Sequence, residues 1–227
     1  MRIDEKRYQG RKLESLAKKY SNLVMNFIKK SENVKTLESG GTIHDYIELQ
    51  PLGLEQQNIH GIELEIDASL EDPGISAAGG FQMIPGEPES SYIRVTMSLP
   101  KPYNRRYLSK LYDELLEILR HEIEHAQQEP ERIDAIADFS DDPFSSKQAM
   151  INYFGSPEEV AGWVTGWMQR AKSKRQPLQK VIKKQLGFIK SQAEYEGMTK
   201  KDVDAASEEL LRRFVRYSLE RYPKQLK

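Results

Sequence analysis

The sequence predicts an α+β fold in which a small antiparallel sheet lobe with an N-terminal helix is followed by a helical lobe. Three observations carry this. Residues 11–30 place apolar side chains at helical spacing, residues 40–100 change to short β-prone runs punctuated by glycine and proline, and the pattern from Tyr103 onward is helical again. That second helical stretch is interrupted once, at about residues 129–156. A chain of 227 residues, 38% hydrophobic and 30% charged, is long and apolar enough for a real core. A single domain of two lobes is expected, about residues 1–100 and about 101–227.

The first helix is read from Leu13, Leu16, Ala17, Tyr20, Leu23, Val24, Phe27 and Ile28, which repeat at i, i+3, i+4 and i+7 with a basic face opposite. Three β-prone runs follow, Tyr46–Leu49, Gly61–Ile66 and Ser91–Leu99. Between the last two, Asp72-Pro73-Gly74 and Ala78-Gly79-Gly80 read as turns. Phe81–Ile84 reads as a further strand, with Pro85-Gly86-Glu87-Pro88 after it. The glycine pair opens no helix, so a phosphate-cradling loop is not expected there. The region 129–156, with Pro130, Asp141-Asp142-Pro143 and Gly155-Ser156-Pro157, reads as a long loop, either a lid or a spacer.

Composition narrows the chemistry. Cysteine is absent, which removes disulfides, thiolate ligands and cysteine nucleophiles and leaves histidine and carboxylates as the strong metal ligands. The formal net charge of −1 means that an electrostatic partner must be met by a local patch. Arg170 to Lys190 supplies one, with eight basic residues and no acidic one, and is read as a solvated face or as the seat of an anionic partner. No run of about 18 apolar residues occurs, so no membrane span is expected. The expected setting is a soluble one, cytoplasmic or virus-associated. Oligomeric state has no signature in the sequence.

Two of the four histidines fall in Leu119-Arg120-His121-Glu122-Ile123-Glu124-His125-Ala126. On a helix at about 100° per residue, with His121 at zero, His125 falls near 40° and both imidazoles share a face. Leu108, Leu111, Tyr112, Leu115, Leu119, Ile123 and Ala126 fill roughly 80° to 200°, the buried arc. Glu122 lands near 100°, inside that arc, where a carboxylate is costly unless compensated, and a cation would compensate it. Arg120 and Glu124 fall toward the polar side. Two histidines one turn apart can offer ring nitrogens to one zinc ion, and the glutamate after the first lies near enough to take a proton from water. The competing reading is a charged helix face whose histidines simply hydrogen-bond.

His121-Glu122-Ile123-Glu124-His125, on a long helix after a β-rich segment, resembles the active-site helix of the zincin metallopeptidases. The resemblance covers the motif and a general order of sheet, helix, loop and ligand helix over about residues 90–170. It implies a zinc-dependent peptidase in which His121 and His125 are ligands and Glu122 is the general base, acting on a protein or peptide substrate. The strand Tyr92–Leu99 would supply the edge along which substrate lies. The metzincin branch is disfavoured, because its later glycine and histidine positions hold Gln128 and Glu131.

A third ligand is needed. His44 and His60 lie upstream in no ligand-spaced motif. The gluzincin branch takes a glutamate from a later helix, and Ser156-Pro157-Glu158-Glu159 opens one whose apolar stripe is Val160, Trp163, Val164, Trp167, Met168 and Ala171. Glu159 faces that stripe and is the first choice, with Glu158, Glu131 and Asp138 behind it. The same Ser156-x-x-Glu159 spacing is also a capping box that needs no metal. Where the branch often has an aspartate, four residues after its ligand glutamate, this chain has Trp163. Tyr153 is the nearest candidate oxyanion donor, against a plain core role. The departure at Trp163 keeps an alternative open: a structural or assembly protein, for instance of a larger particle, that retains the site without activity. A nucleic-acid-associated protein whose cleft acts on a bound partner is a third reading.

Overall fold

A computed structural model of the chain describes residues 3–53, 58–71, 74–83, 90–128 and 142–225, with the backbone alone for residues 3–9. The architecture is α+β, as expected. Two compact units divide at Gln127/Gln128, so the histidine-bearing helix belongs with the sheet and not with the later helices.

In the first unit α1 (Ile3–Ile28) buries the stripe read from the sequence, with Ala17, Tyr20, Val24 and Ile28 fully enclosed. A short helix α2 (Ser31–Glu38) follows and buries Val34 and Leu37. Four strands come next: β1 (Thr42–Glu48), β2 (Gly61–Leu70), β3 (Ser76–Gln82) and β4 (Tyr92–Pro100). They form one sheet in the order β1-β2-β4-β3.

The sheet is mixed, where the strand runs suggested an all-antiparallel one. β1 with β2 and β3 with β4 are antiparallel, but β2 and β4 run parallel, with Ile62 opposite Ile93, Leu64 opposite Val95 and Ile66 opposite Met97. These pairs point to one face and are buried, each worth roughly 1.5–3 kcal/mol per side chain over leaving it in water. Alternation along a strand reports which face is buried and carries no information about strand direction. β4 is therefore internal, paired on both sides, and among the described residues β1 and β3 are the strands at the margins.

After a turn of 3₁₀ helix at Arg105–Tyr107, capped by the Asn104 side chain, α3 (Leu108–His125) packs on α1 and on β3. Its predicted arc is the buried one, with Leu111, Leu115, Leu119, Ile123 and Ala126 enclosed.

The second unit is helical: α4 (Lys147–Gly155), α5 (Pro157–Ser173), α6 (Leu178–Tyr195) and α7 (Lys200–Arg221). The interruption expected at 129–156 is thus a helix in its second half, opened by Ser146, whose side chain accepts from the Ala149 amide. Trp167 stacks edge-on against Phe214 at the centre of a separate core, ring centroids 4.7 Å apart. Among the described residues no helix is long and apolar enough to cross a membrane.

Candidate metal centre

The last turns of α3 are enclosed on every side: all seven residues from Leu119 to His125 are buried. The helix end is tied down by Asn58, whose amide donates to the Ala126 carbonyl at 3.0 Å. His121 and His125, 7% and 6% exposed, sit one turn apart with their Nε2 atoms 2.8 Å from each other and their rings edge-on. At that distance one ring nitrogen donates to the other. His121 is held well below the ordinary 6.5 by burial first, then by His125 and by the Arg120 cation. It is neutral at neutral pH, the state in which imidazole ligates a metal.

Glu122 is equally buried. Its Oε1 lies 3.9 Å from His121 Nε2, and its Oε2 accepts from the Phe81 amide at 2.8 Å. The compensation that the sequence assigned wholly to a cation is therefore partly supplied by the backbone of β3. That approach is possible because residue 79 is glycine. A Cβ there would collide with Ile118 Cγ2 and come within 2.9 Å of Glu122 Oε1. Gly79 and Gly80, expected to mark a turn, lie inside β3, and the close approach of α3 accounts for the first of them.

The Phe81 amide faces Glu122 and not β4. By the alternation of an antiparallel ladder the backbone groups of Gly79 and Ala77 point the same way, along the margin of the sheet. The substrate edge assigned by resemblance to Tyr92–Leu99 is corrected by this topology: β4 has neighbours on both sides, and among the described residues the margin beside Glu122 belongs to β3.

Arg120 and Glu124, expected on the polar side, are buried as well and pair at 2.8 Å. Glu117, one turn earlier, is also enclosed. The i, i+4 spacing of Arg120 and Glu124 was the available signal. It does not reveal burial, because the wheel counts only one apolar arc.

Among the described residues, His121, Glu122 and His125 form a group whose ligand atoms lie within 4.8 Å of one another. The set fits a divalent cation. Two buried imidazoles converge on one point, and a tetrahedral ion about 2.0–2.1 Å from each would hold the nitrogens about 3.3 Å apart, half an ångström of opening. His44 is exposed on β1, and neither it nor His60 joins the group.

Glu159 lies in the second unit, in the first turn of α5. It is buried, and its carboxyl is pushed up to about 7 by burial, with Glu158 adding to the rise and a hydrogen bond from Trp163 opposing it. The Ser156 hydroxyl accepts from the Glu159 amide at 3.2 Å, so the N-cap half of the expected capping box is present. Tyr153, on α4, is half-buried with its ring edge-on to Phe154. Glu131 and Asp138 lie outside the described residues. Comparison with protein-family models, with curated proteins and with solved structures finds no match.

Proposed function

We propose that the chain is a zinc-dependent peptidase in which His121 and His125 hold the ion and Glu122 is the general base. The observation that carries this is the convergence of two buried imidazoles, His121 held neutral, beside a buried carboxylate that accepts from the margin strand β3. A zinc ion held there would polarise a water molecule and the carbonyl of the scissile bond. Glu122 takes the proton of the attacking water and passes it to the departing amine. Its Oε2 is fixed by the Phe81 amide, which aims Oε1 at the imidazole pair and keeps the base from rotating away. An extended substrate would add alongside β3, using the outward backbone groups of Ala77 and Gly79.

Glu159 is proposed as the third ligand. A buried carboxyl whose ionised form is disfavoured until a cation is present suits that role. Tyr153 is proposed as the donor to the oxyanion, and Tyr153→Phe is expected to lower kcat by about tenfold to a hundredfold with zinc content unchanged. An unaltered kcat would return Tyr153 to packing.

The deciding experiment is zinc content and cleavage of an unstructured protein substrate, wild type against Glu122→Gln. About one zinc per chain in both, with cleavage lower by about 10²–10⁴-fold in the variant, is expected. Zinc in both with no cleavage by wild type favours the assembly-protein reading, to which Trp163 in the place of an aspartate already points. Absence of zinc from both removes the proposal.

A further inference from the structure

The second unit carries a face that the peptidase reading does not use. Lys180, Lys183 and Lys184 on α6 are exposed and have no carboxylate partner among the described residues. Lys190, further along, is matched by Asp204 at 2.6 Å. Counting about 100° per residue from Lys184, Lys180 lies near −40°, Ser191 near −20°, Tyr195 near 20° and Phe188 near 40°, within one arc of about 80°, and Lys183 stands beside it near −100°. Every one of these side chains is exposed, Phe188 by 58% and Tyr195 by 84%. What the structure adds to the sequence is that both rings on this face are exposed.

Packing leaves these rings without a structural task. The opposite side of α6 fills the core through Leu178, Ile182, Leu186 and Ala193, and Val181, near 60° on the same count, is buried at the border of the arc. Lys184 Nζ lies 5.5 Å from the centre of the Phe188 ring, so cation and π face are already adjacent. Lys180 stands in the first turn, where the helix dipole opposes a positive charge, and no acidic residue accompanies it there.

We propose that this face of α6 binds single-stranded nucleic acid, its phosphates on Lys180, Lys183 and Lys184 and its bases stacked on Phe188 and Tyr195. Cationic groups beside exposed rings, over an axial length of about 22 Å, are the pattern such strands use. An acidic polypeptide would take the lysines and leave the rings unexplained. A lipid surface would need a broad apolar face to sink, and that face of α6 is spent on the core. Glu194 and Glu196 flank Tyr195, so the phosphate track lies toward the N-terminal half of the helix.

The test is fluorescence anisotropy of a labelled oligothymidine of about 15 nucleotides with the full chain, titrated at several salt concentrations. Three phosphate contacts give a slope of log affinity against log salt of about −2, from about 0.7 per contact. Lys183→Glu with Lys184→Glu is expected to reduce that slope by about 1.4. Phe188→Ala is expected to weaken binding about tenfold with the slope unchanged. Lys12→Glu with Lys19→Glu, an equal charge change on α1, is expected to leave binding as it is, and so is Glu122→Gln, which separates this proposal from the peptidase reading. Circular dichroism of each variant checks folding. No binding at about 50 mM salt overturns the proposal. So does an equal loss in the α1 control, tight binding of polyglutamate indifferent to Phe188→Ala, or retention on phosphatidylserine vesicles that the oligonucleotide does not displace.

Discussion

His121 couples the candidate site to pH. Its folded-state pKa lies well below 6.5 because burial, His125 and Arg120 all disfavour the charged ring. Between the folded and unfolded values the unfolded chain binds more protons than the folded one, so stability rises with pH in that window. The metal-free protein is therefore expected to lose stability progressively as pH falls below about 6.5, and His121→Gln to flatten that dependence; thermal melts of both at about pH 5 and about pH 7 check it. An identical slope in the variant would mean that other groups carry the acid sensitivity. The motif itself was legible because everything it needs is local: two imidazoles and a carboxylate on five consecutive residues of one helix. Burial of Arg120 and Glu124 was not legible, since which side of a helix is covered depends on what packs there, and the two charges are accommodated by pairing with each other at 2.8 Å.

At the scale of elements, β3 and α3 are held close by the absence of a side chain at residue 79. Gly79→Ala places a methyl group against Ile118 and Glu122, and overpacking of this kind costs about 1–3 kcal/mol. It also displaces the Glu122 carboxylate from the Phe81 amide, so cleavage should fall by more than the loss of stability accounts for. Denaturant titration with steady-state kinetics separates the two effects; a stable variant with full activity would show that the close approach is not needed. The glycine pair reads as a turn because glycine in sequence signals freedom, and the tight contact that requires it here is with a helix some 40 residues away. The stripes of α1, α3 and α5 were legible as amphipathic spacing. Shorter elements were not: α2 and α4, of 8 and 9 residues, offer too few turns for a period to stand out, and the parallel pairing of β2 with β4 depends on a connection rather than on either strand.

At the scale of the whole molecule, the described residues form two cores, one built from residues between Leu13 and Ala126 and one from residues between Met150 and Phe214. Both imidazoles and Glu122 belong to the first, and Glu159 to the second. A third ligand is the part of the site least accessible to sequence, because its place is set by tertiary packing and its spacing from the histidines is unconstrained. Residues 1–127 contain the whole first core, so this fragment is expected to fold and to bind zinc through His121 and His125 alone, at least about tenfold more weakly than the full chain, a difference of 1.4 kcal/mol. Glu159→Gln in the full chain should bind zinc as weakly as the fragment. Competition with a chromogenic zinc chelator measures all three. A fragment as tight as the full chain would mean that the second unit supplies no ligand. A weak fragment beside a Glu159→Gln chain of full affinity would move the role to Glu158, Glu131 or Asp138, and single substitutions at those positions would then identify it.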